Sequence, residues 1–354
     1  MYKILAINPG STSTKISLYD DERKVFVETL IHNDKELGQY KSIPDQYKFR
    51  EEKVLDCLGK NNFDIMELAT VVGRGGLLPP VQSGAYKVND VMLDVLKHRP
   101  RVEHASNLGG IIAYEIAKIV GVDAYIYDSV AVDEMEPVAK VTGIPEIERV
   151  SFLHALNMRS CAIKVANDMN KRYEDCKFVV AHLGGGITLS VHSGGKMVDL
   201  LSDDEGPFSP ERSGRVPGRK LADLCFSGQY NKNDITKKMR GNGGLMAHLN
   251  TVDSRKVQKM IERGDQNAKL IFEAMAYQIA KGIGELATVV KGDVDGVILT
   301  GGLAYSKILT EWIKERVEFI GEVIIIPGEN EMEALTFGAL RVLRGEEKYH
   351  EFIE

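Results

Sequence analysis

Two loops of small residues, each set between an apolar strand and a second strand, limit what this chain can fold into. The first is "ILAINPGS" (4–11), followed by "KISLYDDERKV" (15–25). The second is "VVAHLGGG" (179–186), followed by "TLSVHSGGKMV" (188–198). Aligned, Ser190 falls under Ser17, Val191 under Leu18, Lys196 under Arg23 and Val198 under Val25. Apolar and polar residues alternate around a turn at Asp20–Arg23, which reads as strand, loop, strand, turn, strand. The first loop has no Gly-Lys pair and no helix start behind it, so it is not the phosphate loop G-x-x-x-x-G-K-[ST]. Two hairpins of one design, about half a chain apart, point to a duplicated domain.

The intervening pattern is that of an α/β protein. "LGGIIAYEIAKIV" places Leu108, Ile112, Ile116 and Ile119 on one helix face, and "AYIYDS" reads as a strand ending at Asp128. In the second half a long amphipathic helix (270–290) leads to the strand "VDGVILTGG", another helix, the strand "EVIIIPG" and the helix "EALTFGALRVL". Strands alternating with helices predict sheets covered by helices. With 354 residues there is room for two domains, and "TGIPEIE" marks a junction near 145–150. The expected boundaries are 1–147 and 148–337, with the final segment 338–354 rejoining the first domain.

A net charge of −6 argues against a nucleic-acid surface, which needs a basic stripe. The four cysteines are scattered without metal spacing and read as reduced thiols, an expectation of a cytoplasmic protein. The N-terminus enters a strand at once, with no signal-peptide pattern, and no apolar run reaches membrane-spanning length.

Eight motifs in order, "NPGSTSTK", "VVGRGG", "HASNLGG", "YDS", "AHLGGGITLS", "ERSGRVPGR", "LTGGLAYS" and "PGENEMEA", cover nearly the whole chain. Together they resemble the acetate kinase family of the actin/hexokinase-like superfamily, and within it the butyrate and branched-chain carboxylic acid kinases. The resemblance implies duplicated actin-like, ribonuclease H-like ATPase domains with an ATP cleft between them. It implies ATP or ADP with Mg²⁺, a short-chain carboxylic acid as acceptor, an acyl phosphate as product, and a homo-oligomer. The alternatives are an acetate or propionate kinase, or a nucleotide hydrolase or sensor of the same superfamily.

An ionised carboxylic acid needs no base to attack ATP; it needs cations, because carboxylate and phosphate repel. Arginine's planar fork suits both groups. Arg74 in "VVGRGG" and Arg212 in "ERSGR" lie in glycine loops, and the resemblance gives them the acyl and transferred phosphoryl groups. Arg99, Arg101 and Arg172 lack that setting and read as solvated surface residues.

By the same resemblance, Asn8, Ser11, Ser13 and Lys15 line the first phosphate loop, and His182, Gly184, Gly185 and Gly186 the second. Gly301, Gly302 and Leu303 form the adenosine turn. Asp128 and Glu331 stand on the metal side, while Glu329 and Glu333 read as charges at a helix N-terminus. His154 and His104 match family histidines near the phosphoryl group and the substrate. A histidine in either setting is also a common structural residue, so both readings stand. Gly76 takes the place of a family valine that walls the acyl pocket, which predicts space there for a longer acid such as butyrate or isobutyrate.

Overall fold

The computed structural model describes residues 1–100 and 103–353; Arg101 lies outside them. They divide into two compact units, residues 1–133 with 330–354, and residues 134–329.

The first unit is built on seven strands: β1 (Lys3–Pro9), β2 (Ser13–Asp20), β3 (Arg23–Ile31), β4 (Leu68–Arg74), β5 (Ala85–Lys87), β6 (Ala124–Tyr127) and β12 (His350–Glu351). The second has five: β7 (Phe178–Leu183), β8 (Ile187–Ser193), β9 (Lys196–Leu201), β10 (Gly296–Gly301) and β11 (Val323–Pro327). The sheet orders are β12-β5-β6-β4-β1-β2-β3 and β11-β10-β7-β8-β9.

The duplication read from the two loops is explicit in these orders. β6-β4-β1-β2-β3 and β11-β10-β7-β8-β9 are the same arrangement, an antiparallel meander beside two parallel strands. Even an irregularity repeats. The ladder to the third strand shifts register at Leu18/Tyr19 in one sheet and at Val191/His192 in the other, aligned positions in the sequence. The turn residues Asp21 and Gly194, also aligned, both take the left-handed conformation, with φ of 51° and 61°.

Central strands carry unbroken apolar runs because helices cover their sheets. β7 is buried along its whole length. The helix Gln266–Ala287 lays Phe272, Met275, Ile279 and Ile283 into the second core. In the first unit the helices Asn107–Val120 and Glu331–Leu343 pack on β1, β4 and β6. Leu108, Ile112 and Ile116 are buried as their spacing predicts, whereas Ile119, in the last turn, is half exposed.

The unit limits differ from the boundaries drawn on sequence, for identifiable reasons. Residues 134–147 attach to β9: the Glu134 carboxylate accepts the Met197 N–H at 2.9 Å, and the Glu136 N–H donates to Val198 O at 3.0 Å. Residues 331–337 open a helix that belongs to the first core, with Leu335 and Ala339 wholly buried.

Candidate functional site

Each unit concentrates expected site residues around its own loop. In the first unit Asn8 is the last residue but one of β1 and Arg74 the last of β4, neighbouring parallel strands. The Glu331 carboxylate, from the start of the helix Glu331–Leu343, meets both. The Asn8 amide donates to Oε2 at 2.6 Å, and Arg74 Nη1 donates to Oε1. Three residues far apart in sequence thus form one cluster, with Arg74 and Glu331 mostly shielded from solvent.

The backbone carrying Arg74 is fixed by close packing. A Cβ on Gly73 would lie 2.1 Å from Gly109 O, and one on Gly109 would lie 2.3 Å from Arg74 O. Two glycines therefore let β4 and the helix Asn107–Val120 cross backbone to backbone. Beyond Arg74, Asn107 Oδ1 accepts the Leu77 N–H at 2.8 Å and the Ser129 hydroxyl donates to Gly76 O at 2.5 Å.

That packing corrects one expectation. The room a side chain at Gly76 would occupy is not open, since its Cβ would stand 2.5 Å from Asn107 Oδ1, 2.7 Å from Asn107 Cα and 2.8 Å from Leu96 Cδ2. Neighbours, rather than a longer substrate, fill the volume a valine would take.

Asp128 follows β6 with φ of 40°, a conformation costly for a residue with a side chain. It is buried, and its Oδ1 accepts the Gly84 N–H at 2.7 Å. His104 is exposed, and its Nδ1 lies 2.9 Å from the Ser106 hydroxyl, just before the helix Asn107–Val120.

Sequence reasoning missed what lies beneath the first loop. Arg50 is buried with 1% exposure, and its guanidinium donates to Gly10 O at 2.8 Å, Ser13 O at 3.0 Å and Ser11 O at 3.1 Å. Burial lowers its pKa to about 10, still well above neutrality. His32 continues the network, its Nε2 2.8 Å from Thr14 Oγ1. Taking loop carbonyls inward removes partial negative charge from where a phosphate would approach. Ser11 and Lys15 stay exposed and Ser13 half-buried.

The second loop is backed in the same way by a different residue: the buried Ser209 hydroxyl donates to Gly185 O at 2.6 Å. Arg212 lies against the loop, its Cζ 3.3 Å from where a Gly186 Cβ would be. It contacts buried Asp203, which Arg240 also approaches at 3.7 Å. Burial, then the nearby Arg240 charge, brings the Arg212 pKa down to about 10, so it remains a cation at neutral pH.

His182, at the end of β7, is buried and stacks on His154 with ring centroids 3.8 Å apart and planes 8° from parallel. His182 Nδ1 sits 2.9 Å from Asn157 Oδ1; an amide oxygen only accepts, so the proton is on Nδ1. Its Nε2 lies 3.4 Å from Glu329 Oε1. His154 Nδ1 lies 3.0 Å from Thr188 Oγ1. Glu329, read on sequence as a helix-end charge, instead faces this histidine pair.

A groove of about 710 Å³ runs from Gly184 and Gly185 past Gly302 and Leu303. Asp253, Arg255, Tyr305 and Glu329 also line it, a volume suited to a small-molecule ligand. Gly301, at φ 89°, passes so close to Leu183 that a Cβ would lie 2.5 Å from its carbonyl oxygen. The turn expected for adenosine and the second loop thus line one groove. The segment 252–258, which contributes Asp253 and Arg255, carried no motif that marked it in advance.

Among the described residues, no group of three His, Cys, Asp or Glu is placed to hold a metal, and no helix is long and apolar enough to cross a membrane. The model of the acetokinase family matches residues 145–337. The fold is also that of acetate kinase from Porphyromonas gingivalis, at a TM-score of 0.80 and 18% identity, covering 97% of this chain and 100% of that one. Propionate kinase from Francisella tularensis subsp. tularensis SCHU S4 gives 0.73 and 16%, over 95% and 98%. ROK hexokinase from Thermus thermophilus gives 0.51 and 13%, over 97% and 99%. At these identities the likeness is one of fold, and it confirms the duplicated actin-like architecture.

Proposed function

Since this chain belongs to the acetokinase family, we propose that it transfers the γ-phosphoryl group of ATP to a short-chain carboxylic acid. One carboxylate oxygen attacks the γ-phosphorus in line, the bond to the bridging β,γ oxygen breaks, and ADP leaves. The product is an acyl phosphate; run backwards, the same step makes ATP.

The observation that carries this reading is the contact between Arg74 and the Glu331 carboxylate. That side chain stands in for an acid substrate: a guanidinium on a glycine-fixed strand end is already engaged with a carboxylate. When the acid binds, Arg74 exchanges one carboxylate for another. Arg212, beside the glycine loop, serves the charge spread over the transferring oxygens. His182, near the end of β7, and His154, stacked on it, stand beside the same loop. The groove past Gly302 and Leu303 takes the nucleoside.

Mg²⁺ bound with the nucleotide would neutralise phosphate charge. Asp128 and Glu331 offer the hard oxygen donors it prefers, each oriented by N–H groups. Within the acid class, the motif resemblance points to butyrate or isobutyrate. Gly76 lends that choice no support, because Asn107 and Leu96 fill the space.

Trapping the acyl phosphate as its hydroxamate tests the reading, with ATP and each acid from acetate to valerate. Arg74→Lys should lower kcat/KM for the acid by ~100-fold, since lysine has no fork. ATP turnover that is independent of any acid, with no hydroxamate, would sink the proposal.

A further inference from the structure

His182 stands between the second loop and a helix start that touches it twice. The helix Ala155–Asp168 begins directly after His154, and its first turn presents Asn157. His154 stacks on the His182 ring, centroids 3.8 Å apart, and the Asn157 amide oxygen lies 2.9 Å from His182 Nδ1. His182 and Asn157 are both buried, at 1% and 2% exposure.

The two contacts constrain different things. A stacked neighbour fixes the plane of a ring but not its edge. Half a turn about the Cβ–Cγ bond returns the ring to the same plane with Nδ1 exchanged for Cδ2 and Nε2 for Cε1. Asn157 removes that ambiguity, because an amide oxygen accepts far better from N–H than from C–H.

The edge so chosen faces the groove. A Cβ on Gly184 would lie 2.9 Å from His182 Nε2 and 3.4 Å from Cδ2, so those two atoms border the loop. Glu329, whose Oε1 is 3.4 Å from Nε2, lines the same groove as Gly184. Nε2 itself makes no hydrogen bond among the described residues. It is a buried polar atom turned towards the place of a ligand.

Proton placement follows from the edge. With Nδ1–H committed to Asn157, a neutral ring shows the groove a lone pair, and the next proton can settle only on Nε2. A phosphoryl oxygen is repelled by the first form and receives an N–H bond from the second. We infer that Asn157 is a positioning residue for His182: it turns Nε2 to the Gly184 loop and keeps Nδ1 protonated, so that any proton the ring gains arrives where a transferring phosphoryl group can use it. For its phosphate this rests on the ATP-dependent reaction proposed above; the tautomer is a property of the chain alone.

Two-bond nitrogen–proton NMR spectra of the isotopically labelled full chain read that tautomer, with His182→Gln assigning the signals by their loss. At a pH alkaline enough to leave the ring neutral, the wild type should show a protonated Nδ1 and a bare Nε2. Asn157→Leu, close to asparagine in size but unable to accept, should move the proton to Nε2. Asn157→Asp accepts at the same place and should keep it on Nδ1. In the hydroxamate assay Asn157→Leu should lower kcat by ~10–100-fold with KM for ATP and acid nearly unchanged, the split left by losing a transition-state contact. Asn157→Asp should restore most of that loss. Thermal unfolding verifies that each variant is folded, and Asn157→Ala takes the same tests if leucine does not fit. An asparagine of purely structural value would cost stability when replaced and leave the tautomer where it was. A wild type with its proton on Nε2, a leucine variant that keeps Nδ1–H, or one that makes hydroxamate at the wild-type kcat would each overturn the proposal. If the wild type makes no hydroxamate, the reaction proposed above falls, and the spectra alone decide whether Asn157 sets the tautomer.

Discussion

Replacing Gly109 with alanine pits two rules of opposite sign. Gly109 lies in the helix Asn107–Val120, where alanine should be better than glycine by ~1 kcal/mol on propensity alone. Its Cβ, however, would fall 2.3 Å from Arg74 O and 2.8 Å from Arg74 N, backbone atoms that cannot rotate aside. An ordinary carbon-to-oxygen contact needs ~3.3 Å, so strand and helix must part by about 1 Å. Overpacking of this kind costs ~1–3 kcal/mol and often more against backbone. We expect a net loss of ~2–3 kcal/mol, or roughly 5–10 °C in Tm. Because the displaced atoms belong to Arg74 itself, kcat/KM for the acid should fall by ~100-fold, as for other 1 Å misplacements. Gly284→Ala is the control. It lies in the helix Gln266–Ala287, its Cβ would meet nothing within 4 Å, and it should gain up to ~1 kcal/mol. Differential scanning calorimetry and the hydroxamate assay read both. If Gly109→Ala matches Gly284→Ala in Tm and keeps wild-type kinetics, the backbone crossing does not position Arg74.

Arg50→Lys should lose ~3 kcal/mol of stability in urea unfolding, because one ammonium cannot serve the carbonyls of Gly10, Ser11 and Ser13 together. It should also raise KM for ATP more than it lowers kcat; unchanged stability and KM would deny it the loop. Acid sensitivity should come in part from two buried histidines. Burial, then Arg50, pushes His32 down to about 4, and burial, then Arg159, pushes His192 down to about 3, against an ordinary 6.5. Between those values the unfolded chain binds the extra protons, so stability is full above about pH 6.5 and falls as pH drops. Each histidine should cost ~2 kcal/mol by pH 5. Urea unfolding at neutral pH and pH 5 measures this, and His32→Gln should remove about half the histidine part; an undiminished slope would rule His32 out.

The parts of the fold that were legible are those written locally. Alternation around the two loops is a property of a few adjacent residues, and it carried the duplication through to matching sheet orders. Arg74, Arg212 and Glu331 could be picked out because glycines beside an arginine, or acids ahead of a helix, are visible in sequence. Arg50 and Asp203 were not, since each acts on a segment brought to it only by folding. Gly76 was misread because a missing side chain was taken as vacated space, whereas Asn107 and Leu96 stand where that side chain would be. The unit limit was drawn too late for a related reason. The sequence marks a junction only near 145–150, and the bonds of Glu134 and Glu136 to β9, visible only in the fold, assign the preceding residues to the second unit.

The carboxylate that Arg74 holds lies 257 residues further along the chain, and the Asn8–Glu331 bond spans 323. For a protein made one residue at a time, that spacing sets an order of events. The second unit is continuous from 134 to 329 and has all its chain before the helix Glu331–Leu343 is made. The first unit must wait, with the surfaces of β1, β4 and β6 that this helix covers left bare. On the ribosome that bare surface is a hazard for mispairing and a binding place for chaperones. Arg74 likewise spends synthesis without Glu331. The helix that brings Arg74 its carboxylate is thus translated after the whole of the second unit, and a chain stopped short of Asn330 lacks both that cover of its first core and the carboxylate of its cluster.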